Sequence, residues 1–318
     1  MHLFSGSVTP LHKLFLFSLR ESLTNAFTAS LESPASHYLV GWSCGKETLK
    51  DGRYDTLKGS YYVNCAPAFE DSEVQKKVTA QFPSFPEYTA PNVWPPEDVL
   101  PGFEDAFRKL CNLIIDTAIL VAKACDRYAE INVEDYKKGY LEHVVKTSIS
   151  TKARLLHYFP SQPSSDTTAE TEADEDDWCA THLDHGCLTG LTSAMFIDEA
   201  ANPSILSGNT NQTPPPLSEL PKSPDPKAGL YIHSRSGSVT KVAIPRDCLA
   251  FQTGEALEVI TQGKFRAVPH FVRGAKAGAG GKVARNTLAV FTQPNLWEKV
   301  DDKKTFAEFA REIVEKNH

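Results

Sequence analysis

The chain has 318 residues, 41% of them hydrophobic and 23% charged, which is enough to bury one large core or two modest ones and is incompatible with a wholly disordered chain. A formal net charge of −7 argues against nucleic acid or an anionic membrane as partner, since either needs an excess of Lys and Arg. No stretch reaches the roughly 18 to 20 apolar residues of a membrane span, and seven cysteines without a Cys-x-x-Cys pair describe no disulfide framework. A soluble monomer of a reducing, cytoplasmic compartment is therefore expected, acting on a small molecule.

At the N-terminus, "LHKLFLFSL" is apolar but short, and reads as a docking helix of the fold in preference to a targeting segment. The clearest helix is "PGFEDAFRKLCNLIIDTAILVAKACDRYAE", where Phe103, Phe107, Leu110, Ile114, Val121, Cys125 and Tyr128 recur at steps of three and four and form one apolar face. A second helix is predicted over "EDYKKGYLEHVVKTS", and a third closes the chain at "TFAEFAREIVEKN". Between them the hydrophobic period changes to two. The runs "ARLLHYF", "ATHLDHG", "LTGLTSAMFI", "GLYIHS", "SVTKVAI", "CLAFQT", "RAVPHFV" and "RNTLAVFTQ" predict eight short strands, the pattern of a sandwich or jelly roll.

These readings give a mainly β protein with flanking helices. Residues 1–150 form an N-terminal, mostly helical region, 151–297 the β core and 298–318 a C-terminal helix. Two insertions interrupt the core, near 161–178 and 201–228. The first contains "SQPSSDTTAETEADEDDW", with seven acids and no base; the second contains "ANPSILSGNTNQTPPPLSELPKSPDPK", with seven prolines. Neither composition buries enough apolar area to offset chain entropy, so both read as solvated surface segments. The "GAKAGAGG" run at 274–281 reads as a hairpin connection, because it lacks the glycine order and following helix of a phosphate cradle.

The chemistry-bearing stretch is "THLDHG". In a strand, residues i and i+2 share a face, so His182 and Asp184 present an imidazole and a carboxylate side by side, and His185 points the other way. His270, in "FRAVPHFV", supplies a second imidazole. Two histidines and one carboxylate form the facial triad that holds non-haem Fe(II) with three positions open; zinc accepts the same ligands. Fifteen residues past His270 stands Arg285, with Thr287 on the same face of its strand and Asn286, Leu288 and Val290 on the other. An arginine pointing into a β barrel needs an anion, because a buried unpaired charge is costly.

In this order, "HLDHG" at 182–186, "TGEALEVITQGKFRAVPHFV" at 253–272 and "RNT" at 285–287, the sequence resembles the isopenicillin N synthase-like, plant-type branch of the Fe(II)- and 2-oxoglutarate-dependent oxygenases. Upstream, "RLLHYFP" is similar to that family's strand ending in Tyr-Pro, and "GWSCGKETLKDGRYDTLKGSYYVN" to the region after its N-terminal helices. The likeness spans residues 40–295, with Glu255, Gln262 and Phe265 as conservative departures.

The resemblance implies a double-stranded β-helix (jelly-roll) core, His182, Asp184 and His270 as iron ligands, and Arg285 with Thr287 binding the distal carboxylate of 2-oxoglutarate. Tyr158 would help to hold that cosubstrate. The asparagine usual two positions before the tyrosine is Leu156 here, and only 40 residues precede Gly41, which implies an N-terminal region shortened or cut relative to the family. The implied activity couples oxidative decarboxylation of 2-oxoglutarate to hydroxylation, or desaturation, of a small secondary metabolite or hormone-like molecule, with O2 as co-reactant and ascorbate in support. Two alternatives stay open: an iron oxidase with the same triad that works without 2-oxoglutarate, and a catalytically silent binding member of the fold.

Overall fold

The computed structural model describes residues 25–47, 54–160, 179–199, 201, 219–275 and 282–317. The N-terminal docking helix, the acidic insertion, most of the proline-rich insertion and most of the glycine-rich connection lie outside the described residues.

Twelve strands are described. They are β1 (Gly41–Cys44), β2 (Lys58–Asn64), β3 (Lys152–Tyr158), β4 (Cys179–His182), β5 (Leu188–Thr192), β6 (Met195–Asp198), β7 (Glu219–Leu220), β8 (Gly229–His233), β9 (Val239–Val242), β10 (Leu249–Thr253), β11 (His270–Arg273) and β12 (Val283–Thr292). The main sheet runs β1-β2-β3-β12-β5-β10, with β6 paired to the far end of β12 and β7 to β6; a second sheet runs β4-β11-β8-β9. Every named pairing is antiparallel. Two facing antiparallel sheets with flanking helices make the predicted jelly-roll core.

The long helix Phe103–Asn132 covers the outer face of the main sheet. It starts after Gly102, whose φ of 71° is left-handed backbone. Phe103, Phe107, Cys111 and Ile114 from the helix meet Tyr61 and Val63 of β2, Ala153 and Leu155 of β3, and Leu288 and Val290 of β12 in one core cluster. Each such fully buried aromatic or branched side chain stabilises the layer by ~1.5–3 kcal/mol. Gly190 in β5 permits the close approach: a Cβ there would lie 2.4 Å from Ile114 Cγ2. At its C-terminal half the helix organises the next one, because the buried Asp126 carboxylate accepts from the backbone N–H of Leu141 (2.9 Å) and Glu142 (2.7 Å). That second helix is Tyr140–Thr147, shorter than predicted, since Gly139 takes a left-handed conformation just before it.

The inner face of the main sheet looks at the second sheet, and the alternation of β3 and β12 decides what enters the space between. Leu156, Tyr158 and Ala289 face inward with Leu230 and Val272, while their chain neighbours turn towards the helix. Three departures from the predicted elements stand out. β1 and β2 join the main sheet, so the N-terminal region contributes strands as well as helices. The run "LTGLTSAMFI" divides into β5 and β6 around Ser193 and Ala194. Glu255–Ile260 is a helix inside a stretch otherwise read as strand and turn.

Candidate active site

The β4–β11 register sets His182 directly opposite His270, and the two imidazole centroids lie 4.2 Å apart. Asp184 completes the group. One ligand atom from each of the three lies within 4.8 Å of the others, with Asp184 and His270 buried and His182 at the edge. Asp184 Oδ1 is 3.9 Å from His182 Nε2 and 3.7 Å from His270 Nε2. Both rings are held from behind: His182 Nδ1 is 2.8 Å from the Ala180 carbonyl and His270 Nδ1 2.9 Å from that of Val268. An Nδ1–H donated to a carbonyl fixes the tautomer and leaves the Nε2 lone pair turned to the common centre, the arrangement that metal ligation needs.

Strand alternation is not what brings Asp184 there. β4 ends at His182, and the chain turns away before Asp184. The turn is pinned to the start of the Glu255–Ile260 helix, where Glu255 N–H donates to the Asp184 carbonyl (2.8 Å) and Gly254 N–H to that of Cys187 (3.0 Å). Gly254 has no room for a side chain, as a Cβ would lie 2.4 Å from the Gly186 carbonyl oxygen and 2.7 Å from that of Asp184. His185 points away from the cluster and pairs with Glu255 at 2.7 Å.

A cavity of about 670 Å³ opens from this cluster into the space between the sheets. Its wall includes Arg285, Thr287, Ala289 and Phe291, alternate residues of β12, facing Tyr158 and Leu156 of β3. The β12–β3 register pairs Arg285 with Tyr158 and Thr287 with Leu156. Arg285 is 5% exposed, and its Nε and Nη1 have no hydrogen-bond partner among the described residues. Burial lowers its pKa, against the neighbouring Tyr158 hydroxyl. A buried guanidinium with idle N–H donors fits an anion such as a carboxylate, which would accept from it and restore the charge balance. Burial likewise pushes His270 below the ordinary imidazole value, with Asp184 opposing it. His182 is held above that value despite burial, through Cys179, the Ala180 carbonyl and Asp184.

The structure thus brings together all six residues singled out in the sequence: His182, Asp184 and His270 at one point of the cavity, and Arg285, Thr287 and Tyr158 along its wall. Leu156 presents an apolar side chain opposite Thr287, where the resembling family carries asparagine. The hydroxyl near Thr287 comes instead from Thr192 of β5, with the two Oγ1 atoms 3.5 Å apart. Phe196 lines the cavity, whereas Phe271 stacks on Tyr231 (centroids 5.1 Å) and Phe159 packs edge-on against His157 (4.5 Å). The described end of the proline-rich insertion, Pro221–Pro226, also lines the cavity.

Sequence reasoning missed three polar residues of this site: Thr189, Thr192 and Gln252. Thr189 and Gln252 bond the Asp184 carboxylate. The available signal was a polar side chain at an inward position of a predicted strand, as Gln252 is in "CLAFQT".

No protein-family sequence profile and no curated protein sequence matches this chain. Solved structures do match in fold. A protein from Caulobacter crescentus described as of the 2OG-Fe(II) oxygenase family superposes with a TM-score of 0.65 at 18% identity, covering 100% of this chain and 88% of that one. A full-length protein from Neurospora crassa, solved in complex with alpha-KG (2-oxoglutarate), gives 0.60 at 16% identity over 97% and 84%. JOX2, solved with 2OG, Fe and JA, gives 0.57 at 13% identity over 94% and 74%. The shared fold is the jelly roll on which these oxygenases are built. Fold alone does not carry activity across such distances.

Proposed function

We propose that this chain is an Fe(II)- and 2-oxoglutarate-dependent dioxygenase of the isopenicillin N synthase-like, plant-type branch, acting on a small organic metabolite. The observation that carries the reading is the buried Arg285 guanidinium, whose Nε and Nη1 have no hydrogen-bond partner among the described residues, in the same cavity as a two-histidine, one-carboxylate cluster. Either feature alone has simpler explanations. Together they match a cosubstrate that chelates a metal at one end and ends in a carboxylate at the other.

His182 Nε2, His270 Nε2 and Asp184 Oδ1 would hold iron. When bound, it supplies the oxygen and electron-transfer chemistry that side chains lack. Arg285 binds the distal carboxylate through its planar fork, Thr287 adds a hydroxyl, and Tyr158 packs across the guanidinium, 5.2 Å from ring centroid to Cζ. The apolar wall of Leu156, Leu191, Ala289 and Phe291 keeps water from the reacting end. The overall conversion balances as substrate C–H plus O2 plus 2-oxoglutarate giving C–OH, succinate and CO2, or a C=C bond and water where desaturation replaces hydroxylation. No helix among the described residues is long and apolar enough to cross a membrane, and action as a cytoplasmic monomer with ascorbate in support belongs to the same reading.

The test is succinate release from 2-oxoglutarate with added Fe(II) and ascorbate, across a panel of small metabolites. Substrate-dependent succinate supports the reading. Oxygen uptake without succinate would support the iron oxidase that dispenses with 2-oxoglutarate, and neither signal would leave a ligand-binding member of the fold.

A further inference from the structure

Thr189 and Gln252 stand directly opposite one another in the β5–β10 ladder, and both side chains end on the same atom. Thr189 Oγ1 donates to Asp184 Oδ2 at 2.6 Å, and Gln252 Nε2 donates to that same oxygen. Oδ1 receives neither bond. It is the oxygen turned towards the two imidazoles. We propose that this cross-strand pair positions Asp184 as a one-oxygen ligand: Thr189 and Gln252 occupy Oδ2, so that only Oδ1 is offered to a metal ion. The inference rests on the reading of His182, Asp184 and His270 as a metal site, and assigns two residues which that reading does not use.

The electrostatics support this clamp. An ionised carboxylate only accepts hydrogen bonds, so the Gln252 group facing it must be the NH2 end; the carbonyl end would repel it. The same amide nitrogen is 3.1 Å from His270 Nε2. The same nitrogen is 3.5 Å from His270 Nδ1, so it lies over the face of the imidazole and off the in-plane axis of the Nε2 lone pair. The amide therefore bonds the Asp184 carboxylate and packs on the His270 ring.

The consequence concerns open positions. A carboxylate free at both oxygens can swing to chelate and take a second position, whereas one pinned at Oδ2 leaves that position for other ligands. Thr189 is 1% exposed, so water cannot replace its hydroxyl.

The experiment is titration of the full-length, metal-free protein with Co(II), followed by its visible ligand-field bands, for wild type, Thr189→Val, Thr189→Ser, Gln252→Leu, the Thr189→Val/Gln252→Leu double variant and Asp184→Ala. Loss of an outer partner typically weakens metal affinity ~10–100-fold. Thr189→Val and Gln252→Leu are each expected to show that loss, the double variant a changed band pattern, and Thr189→Ser near wild-type affinity. Wild-type affinity and bands in Thr189→Val and Gln252→Leu would overturn the clamp while leaving the metal site standing. Co(II) binding that is absent from wild type, or unchanged in Asp184→Ala, would overturn the metal site and the clamp with it. Should Gln252→Leu fail to fold by circular dichroism, the near-isosteric Thr189→Val against Thr189→Ser decides the question alone.

Discussion

Arg285 and Tyr158 face each other across the β12–β3 ladder, with the guanidinium carbon 5.2 Å from the centre of the phenol ring. Tyr158 lies against the cation, and the guanidinium Nε and Nη1 stay buried without a hydrogen-bond partner among the described residues. Lysine at this position keeps the charge and loses the fork. Arg285→Lys is expected to weaken 2-oxoglutarate binding by roughly tenfold or more, since a charge-assisted hydrogen bond contributes ~1.5–3 kcal/mol. Iron affinity should hardly change. Binding at the Fe(II)-loaded site, followed by the visible charge-transfer band of the chelate, checks both; wild-type binding in Arg285→Lys and Thr287→Ala would remove this strand as the carboxylate anchor.

Asp184 and His185 are neighbours in sequence with separate duties in the fold. Asp184 closes the triad, whereas His185 reaches Glu255 at 2.7 Å on the far side of the turn. Asp184→Ala should lower divalent-metal affinity by at least about a hundredfold, beyond the ~10–100-fold typical of outer partners. His185→Ala should alter it by no more than about twofold. Metal titration of the two variants side by side makes the comparison, and equal losses would count against the ligand set.

The Asp184 turn is only as well placed as the helix start that pins it. At Gly254→Ala the added carbon would meet the Gly186 and Asp184 carbonyl oxygens at 2.4 and 2.7 Å, and backbone has to shift to make room. The expected result is a folded protein with a lowered melting temperature and weakened metal binding. Thermal denaturation and metal titration on one preparation measure both effects; unchanged metal affinity would mean that the turn holds its place without this contact.

Acid stability should carry the signature of His157. This residue is 2% exposed, its Nδ1 lies 2.6 Å from Asn286 Oδ1, and burial lowers its pKa from 6.5 to about 4. Between those values the unfolded chain binds the proton and the folded one does not, so stability rises with pH across this window and falls as pH drops from 6.5 towards 4. The slope from one residue is at most ~1.4 kcal/mol per pH unit. Urea unfolding at several pH values in that window should show a shallower dependence for His157→Gln than for wild type. Identical slopes would assign the acid sensitivity to other groups.

The helix over Phe103–Asn132 and the strands β3, β8, β9, β10 and β12 were legible in the sequence through their apolar periods, although Tyr128 of the expected helix face is exposed and Ala118, Ala122 and Ala129 are buried in that half. The six candidate residues that the fold gathers at the cavity were singled out too, as motifs in a fixed order, whereas Thr189, Thr192 and Gln252 were not. β1 and β2 were not: Trp42 and the run from Lys58 to Asn64 gain their strand character from pairing with β3 and from the helix laid over Tyr61 and Val63. The short helix Glu255–Ile260 escaped notice because six residues carry little periodicity.

Alone, the sequence determined the chemical types available: two imidazoles and a carboxylate near enough in pattern to suggest a metal, and an arginine on an inward-facing strand. It could not determine which atoms converge. His182 meets His270 because β4 and β11 pair in one particular register, and Asp184 joins them from a turn held by Gly254 and Glu255, against the expectation from simple alternation. The choice of Oδ1 over Oδ2 depends on Thr189 and Gln252 being cross-strand partners. Chain-local periodicity specifies which face a side chain takes within its own element; contacts between residues far apart in sequence are set by strand register and packing, and those exist only once the sheets have closed on each other.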